Sequence, residues 1–268
     1  MSKSHRPNAR AASSSRTPEI SFPGLARVDG SARFSFGPGG PSALSSISGP
    51  IEVRLAAENP SHATLEVLVR PLADVPATEA KALAATVRGV LAPSLVLVNN
   101  PRTLVQIVVQ VLSNGTGSGR NTGKEKERAG VTAAIVNAGT LALLNAGSIP
   151  MRGVVCAVAV GRRAADAGLV VDPEEGDGVL DAEGCFAFLF TRDGAGEVQG
   201  KSVWTNWRAV SGGSVAGGFD ENVLAAAQEV AKGAAGEIYD AIYQTLDGGP
   251  PPDEGAQTSL EDDEKMDI

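Results

Sequence analysis

Hydrophobic and polar positions alternate with a period of two at three places near the start of the chain. In Asp29–Gly37, residues Ala32, Phe34 and Phe36 fall on one side and Arg33 and Ser35 on the other. Gly49–Arg54 and Ala63–Pro71 continue in the same style, with glycine or proline at the joins. Successive side chains of a strand point to opposite faces, so these segments predict three short strands across 25–72. After Pro76 the period lengthens. Thr78-Glu79 marks a helix start with an acid in its first turn, and Leu83, Val87 and Val90 carry the apolar side to about Val90. Thr103–Leu112 returns to a strand. Val105, Ile107, Val109 and Val111 share one face, while Leu104, Gln106, Val108 and Gln110 form a partly wet one.

Val131–Ala146 predicts a second helix, with Val131, Ile135, Ala138 and Ala142 on its buried stripe and Gly147 and Pro150 as stops. Gly153–Val160 is an unbroken apolar run, as expected of a central strand covered on both faces. Segments 169–172, 185–191 and 197–205 read as further strands, linked by 172–184 and by Arg192-Asp193-Gly194. A long helix from about Asp220 to Leu246 follows, stepped by Val223, Ala227, Val230, Ala234, Ile238 and Ala241. This order of elements suits one α+β domain with helices packed on mixed sheets.

Charge changes the picture at the two ends. Residues 1–20 hold Lys3, Arg6, Arg10 and Arg16 against Glu19. From Asp247 onward there are eight acids and one Lys265, so of the net charge of −8 the body between carries −4. The expected organisation is a disordered basic head over 1–20, a domain over 21–247 carrying a Gly-rich charged loop at 114–128, and a disordered acidic tail over 248–268. A mildly acidic body lacks the basic footprint of a free-standing nucleic-acid binder, which would show RNA affinity with a steep salt dependence. Ala129–Met151 is apolar enough to consider as a membrane span, but Asn137, Gly139, Asn145 and Gly147 interrupt it, and a buried core helix is expected. No apolar leader follows Met1, so a soluble protein without membrane partners is expected. Cys156 and Cys185 sit in apolar strand-like runs and read as buried thiols of a reducing compartment.

The inventory of catalytic groups is thin. The two histidines are His5, in the head, and His62, in a loop, so a triad would need His62 to meet a distant partner. Zinc fails on ligand count. A phosphate loop of the Walker type fails at Gly119–Gly123, which are separated by three residues rather than four, with Glu125 where a hydroxyl is needed. Trp204 and Trp207 are three apart in a strand-like run and should point to opposite faces, as core or interface residues.

Asp29–Gly37, Gly49–Arg54 and Ala63–Pro71, with the Pro101-Arg102-Thr103 entry to the next strand, resemble the opening of ribonuclease PH domains. The likeness spans about 22–247 and is greatest to the ring subunits of the eukaryotic RNA exosome. It implies a ribonuclease PH-like single domain, α+β, with mixed sheets and packed helices. The family contains phosphate-dependent exoribonucleases and inert members that only build the ring. In active members a short Gly-Thr-Arg turn at a helix N-terminus grips phosphate through backbone N–H groups and a guanidinium. Here that junction reads Asn114–Arg128. Arg120-Asn121-Thr122 echoes the turn, but further residues of mixed charge separate Arg120 from the helix start. Small displacements forfeit such positioning, so a surface insertion is expected, against a modified phosphate or RNA loop.

The likeness also implies two aspartates for a metal ion. Asp172 and Asp177, followed by Asp181, would suit magnesium, yet Asp172-Pro173 is also ordinary turn chemistry and resembles the inert members. The expectation is therefore a non-catalytic ring subunit with no cofactor. It would pair with other ribonuclease PH-like subunits, with cap subunits and with an associated nuclease, and pass single-stranded RNA through the pore. The implied processes are ribosomal RNA maturation, nuclear RNA surveillance and messenger RNA turnover, in nucleus, nucleolus and cytoplasm. Arg88, Arg102, Arg120, Lys124 and Arg128 are the candidate RNA contacts. The alternative is an active phosphorolytic 3′–5′ exoribonuclease using inorganic phosphate and magnesium, with Arg120 as clamp and Asp172 and Asp177 on the metal.

Overall fold

The alternating segments become strands and the 3.6-period segments become helices, in the order the pattern predicts, with one further strand ahead of them. The computed structural model describes residues 11–73, 75–115, 129–194, 196–210 and 220–248. Its first sheet is built from β1 (Pro18–Ser21), β2 (Gly30–Phe36), β3 (Pro41–Glu52), β4 (Thr64–Arg70) and β5 (Thr103–Asn114), in the order β1-β2-β3-β5-β4. The pair β4 and β5 is parallel and the other neighbours are antiparallel. Helix α1 (Thr78–Leu91) makes the crossover between the parallel strands. The second sheet, ordered β7-β6-β8-β9, is antiparallel and comprises β6 (Val154–Arg163), β7 (Leu169–Val171), β8 (Leu180–Arg192) and β9 (Val198–Ala209).

Helix α2 (Ala129–Ala146) lies between the sheets, touching β2, β3 and β5 on one side and β6 and β8 on the other. Helix α3 (Glu221–Asp247) covers the far face of the second sheet. Val155–Val160 are buried without a break, as a strand covered on both faces must be. Because α2 is enclosed, its burial is not a stripe but nearly continuous from Thr132 to Leu143. By length and composition α2 could cross a membrane, and 72% of it is buried inside the fold. Gly30 shows how closely it packs: a Cβ there would stand 2.4 Å from the backbone nitrogen of Ala146.

Asn137, wholly buried in α2, does the work of a missing strand. Its amide donates to the Ala157 carbonyl at 2.9 Å and accepts from the Ala157 N–H at 2.8 Å. The short β7 pairs only with Val160–Arg162, so this amide satisfies β6 where β7 does not reach.

Several boundaries differ from the sequence pattern. The second strand begins at Pro41, not at Gly49: Ala43, Ser45 and Ile47 face inward, and serines at alternate positions disguise the strand. Ser35 is buried, not exposed, with its hydroxyl donating to the Gly37 carbonyl at 2.9 Å. β8 starts at Leu180, inside the expected link 172–184, because Leu180–Gly184 pair with the end of β6. Thr78 is the first helical residue rather than a cap. The buried stripe of α3 is Ala227, Ala231, Ala234, Ala235, Ile238, Tyr239 and Ile242, partly offset from the expected one. The head reading fails for residues 11–20. β1 begins within it, Ala12 accepts from Val171 N–H at 2.8 Å, and Arg16 enters an ion pair. Residues 1–10 and the tail beyond Gly248 lie outside the described residues. Trp204 and Trp207 stand opposite Ala187 and Gly184 of β8 and are partly buried against the core, with Trp207 5.9 Å from Phe186.

Replacing Asn137 with Leu leaves the Ala157 N–H and C=O buried and unpaired, and should cost about 3 kcal/mol in urea unfolding. Cys156 and Cys185 are buried, and desolvation raises both pKa values, with Asp240 adding to the rise at Cys156. Each thiol thus lends stability that is intact below about pH 8.5, where the unfolded thiol ionises, and is lost as pH rises further. A thiol reagent at neutral pH should titrate neither cysteine in the native chain and both in denaturant.

Candidate functional site at the amino-terminal end of helix α2

Three glycines build one wall of this end of the molecule. The β2–β3 turn, Gly37-Pro38-Gly39-Gly40, holds Gly37 at φ +66° and Gly39 at φ +71°, conformations that favour glycine. Arg16 lies across this turn: a Cβ on Gly40 would come within 3.2 Å of its guanidinium carbon. Pro41 continues the wall against Gly115, after β5, and Gly130, in the first turn of α2. The turn, the end of β5, the start of α2 and Arg16 therefore meet at one place.

Asp172 reaches it from the second sheet. It follows β7 with φ 48°, and its N–H donates to the Ala159 carbonyl at 2.8 Å. Its carboxylate is taken by Arg16: Nε donates to Oδ2 at 2.6 Å, Nη2 to Oδ1 at 2.6 Å, and the Arg16 backbone N–H to Oδ2 at 3.1 Å. Both carboxylate oxygens are thus engaged by one bidentate clamp, the stronger form of such pairing. Asp172 is 1% exposed. Glu174 stands 3.8 Å from the Arg16 Nε. Asp177 accepts the Glu174 N–H at 2.8 Å while the Glu174 side chain returns a bond to the Asp177 backbone. Burial disfavours the Arg16 charge, but the hydrogen bond and charge of Asp172, backed by Glu174 and Asp177, outweigh it and raise the guanidinium pKa.

Of the acids marked out in the sequence, Asp172 is taken by a cation of the chain itself, and the other two are engaged elsewhere. Asp177 caps a turn, and Asp181 pairs with Arg162 at 2.8 Å. Among the described residues, no group of three His, Cys, Asp or Glu side chains is arranged to hold a metal ion. His62 is engaged within its own loop, Nδ1 with Ser61 Oγ at 2.9 Å and Nε2 with Asn59 Nδ2 at 3.3 Å.

The candidate RNA contacts do not gather here. Arg88 is exposed in the last turn of α1, and Arg102 is 70% exposed at the entry to β5, 3.3 Å from Glu58. Because α1 returns the chain to the start of β5, both sit toward the end of the first sheet opposite α2's first turn. Arg120, Lys124 and Arg128 lie outside the described residues, as does the segment compared with the phosphate turn. Sequence reasoning missed Arg16, which it assigned to the head. Its partner lies 156 positions away, and the local signal was only Ile20 opening an alternating segment just beyond Pro18.

Two sheets enclosing a central helix, with a glycine turn at that helix's N-terminal end, define an α+β domain of the ribonuclease PH type. The ribonuclease PH family model, described as "3' exoribonuclease family, domain 1", matches residues 14–148, and the chain belongs to this family. Over 134 residues it is 32% identical to the exosome complex component rrp46 of Schizosaccharomyces pombe, covering 50% of this chain and 53% of that protein. Over 149 residues it is 31% identical to RRP46 of Saccharomyces cerevisiae, covering 56% and 63%. The matched segments thus span less than two thirds of these relatives. Among solved structures, rice (Oryza sativa) Rrp46 superposes with a TM-score of 0.71 at 22% identity, covering 90% of this chain and 100% of that one. An Archaeoglobus fulgidus exosome with RNA bound to the active site gives 0.61 at 17% identity, covering 88% and 91%.

Arg16→Ala should destabilise the chain by about 3–5 kcal/mol in urea unfolding, because it strands the Asp172 carboxylate without its cation. Adding Asp172→Asn to that variant should restore part of the loss, since asparagine removes the stranded charge and tolerates the left-handed conformation.

Proposed function

We propose that this chain is a non-catalytic ring subunit of an RNA exosome. The ring reading is supported by the family and by two relatives that are exosome components. The non-catalytic reading is carried by one observation, the bidentate hold of Arg16 on Asp172. A carboxylate bonded through both oxygens to a guanidinium of its own chain is not free to enter a magnesium ion's shell, which demands near-ideal octahedral oxygen geometry. Without the metal, phosphorolysis loses part of the electrostatic stabilisation on which it depends. Proposed partners are other ribonuclease PH-like subunits, cap subunits and an associated nuclease, with single-stranded RNA passing through the pore. The work served is ribosomal RNA maturation, nuclear RNA surveillance and messenger RNA turnover, in nucleus, nucleolus and cytoplasm.

Incubating the purified chain with a 3′-tailed RNA, inorganic phosphate and magnesium should release no nucleoside diphosphate. Co-expression with ribonuclease PH-like exosome subunits should give a stoichiometric hetero-oligomer on size exclusion. Release of nucleoside diphosphates that disappears with Asp172→Ala would overturn the non-catalytic reading. Failure to assemble with any such subunit would overturn the ring reading.

A further inference from the structure

Residues 11–17 form a strap across the two sheets. At one end Ala12 accepts the Val171 N–H beside β7, and the Ser14 hydroxyl approaches Glu237 Oε2 at 3.3 Å. At the other end the chain enters β1, a four-residue edge strand paired with β2. Arg16, in the middle, holds the strap down through Asp172. Thr17 follows directly and is exposed, on the opposite side of the extended chain from Arg16.

Of the sixteen prolines in the sequence, Pro18 alone follows a serine or threonine. Thr17-Pro18, with Arg16 before it, is the minimal recognition unit of a proline-directed protein kinase. Thr17 itself is exposed, in an extended stretch at a sheet edge rather than in a helix, while Arg16 and Pro18 on either side are half-buried. We propose that Thr17 is a phosphorylation site for such a kinase, and that its modification unlatches the strap.

The reaction is ordinary phosphoryl transfer. The Thr17 Oγ–phosphorus bond forms as the bond between the γ-phosphorus of ATP and its bridging oxygen breaks. ADP leaves with that electron pair, and the hydroxyl proton passes to the kinase's base. The product carries a charge of about −1.5 to −2 and three strong acceptor oxygens. It arises one residue from a guanidinium already shared by Asp172, Glu174 and Asp177, and two residues from Glu19, whose side chain is also exposed. The phosphate repels the acids gathered at the clamp, and it captures the Arg16 cation whenever the strap fluctuates off Asp172. Either effect weakens the clamp.

The test treats the full chain with a proline-directed kinase and ATP, maps the phosphoryl group, and follows amide hydrogen exchange. One phosphoryl group at Thr17 is expected, with none on the Thr17→Ala variant. In the phosphorylated chain the Arg16 and Val171 amides, which bond Asp172 and Ala12, should exchange about tenfold faster, while the Ala157 amide is unchanged. No phosphoryl group on Thr17 of the folded chain would overturn the site. Phosphorylation that leaves the Arg16 and Val171 amides as protected as before would overturn the latch.

Discussion

Enclosure of α2 between two sheets is the constraint on which the architecture rests. A helix touched on every side has no face for long or charged residues, and α2 is made of alanine, valine, isoleucine, leucine, threonine, glycine and a few asparagines. Its small residues let the first sheet approach until Gly30 has no room for a Cβ. Interiors this dense are intolerant of added volume. The one strongly polar side chain at its centre, Asn137, is admitted because both of its hydrogen-bonding ends close on Ala157. One residue therefore joins the helix to the second sheet and ends that sheet's edge.

The amino-terminal end of α2 is the second point of convergence. Four separate parts of the chain reach it: the strap with Arg16, the glycine turn after β2, the end of β5, and Asp172 after β7. Here its buried acid is neutralised from within. The pair costs desolvation, and its Coulombic return is modest, so its strength as a stabiliser lies in how badly each partner fares alone. That arrangement ties residue 16 to a residue that follows the second sheet's edge strand and couples the fold's integrity to one buried ion pair.

The strands and helices were legible wherever an amphipathic period was clean. Ala32, Phe34 and Phe36, and Val105 through Val111 at alternate positions, are buried as their spacing predicts. The first half of β3 was not legible, because Ser42, Ser45, Ser46 and Ser48 carry little hydrophobic contrast and owe their strand state to pairing with β2 and β5. Residues 11–20 were read as a tail for a similar reason. Their polarity is real, but Arg16 is polar because it meets a buried carboxylate, not because it meets water. Asp172 and Asp177 stood out in the sequence as the acids a metal would need in an active member, and the partners they take here, Arg16 and the Glu174 backbone, were not foreseeable from spacing.

Period, punctuation and residue size are local, and they alone determined that the chain is an α+β domain of strands and helices in this order, with two thiols inside. Which acids remain free to act is not local. It depends on a guanidinium brought from 156 positions away, and long-range juxtaposition of that kind leaves no trace in the spacing of either residue. Only the packed structure decided that Asp172 would spend its charge on Arg16.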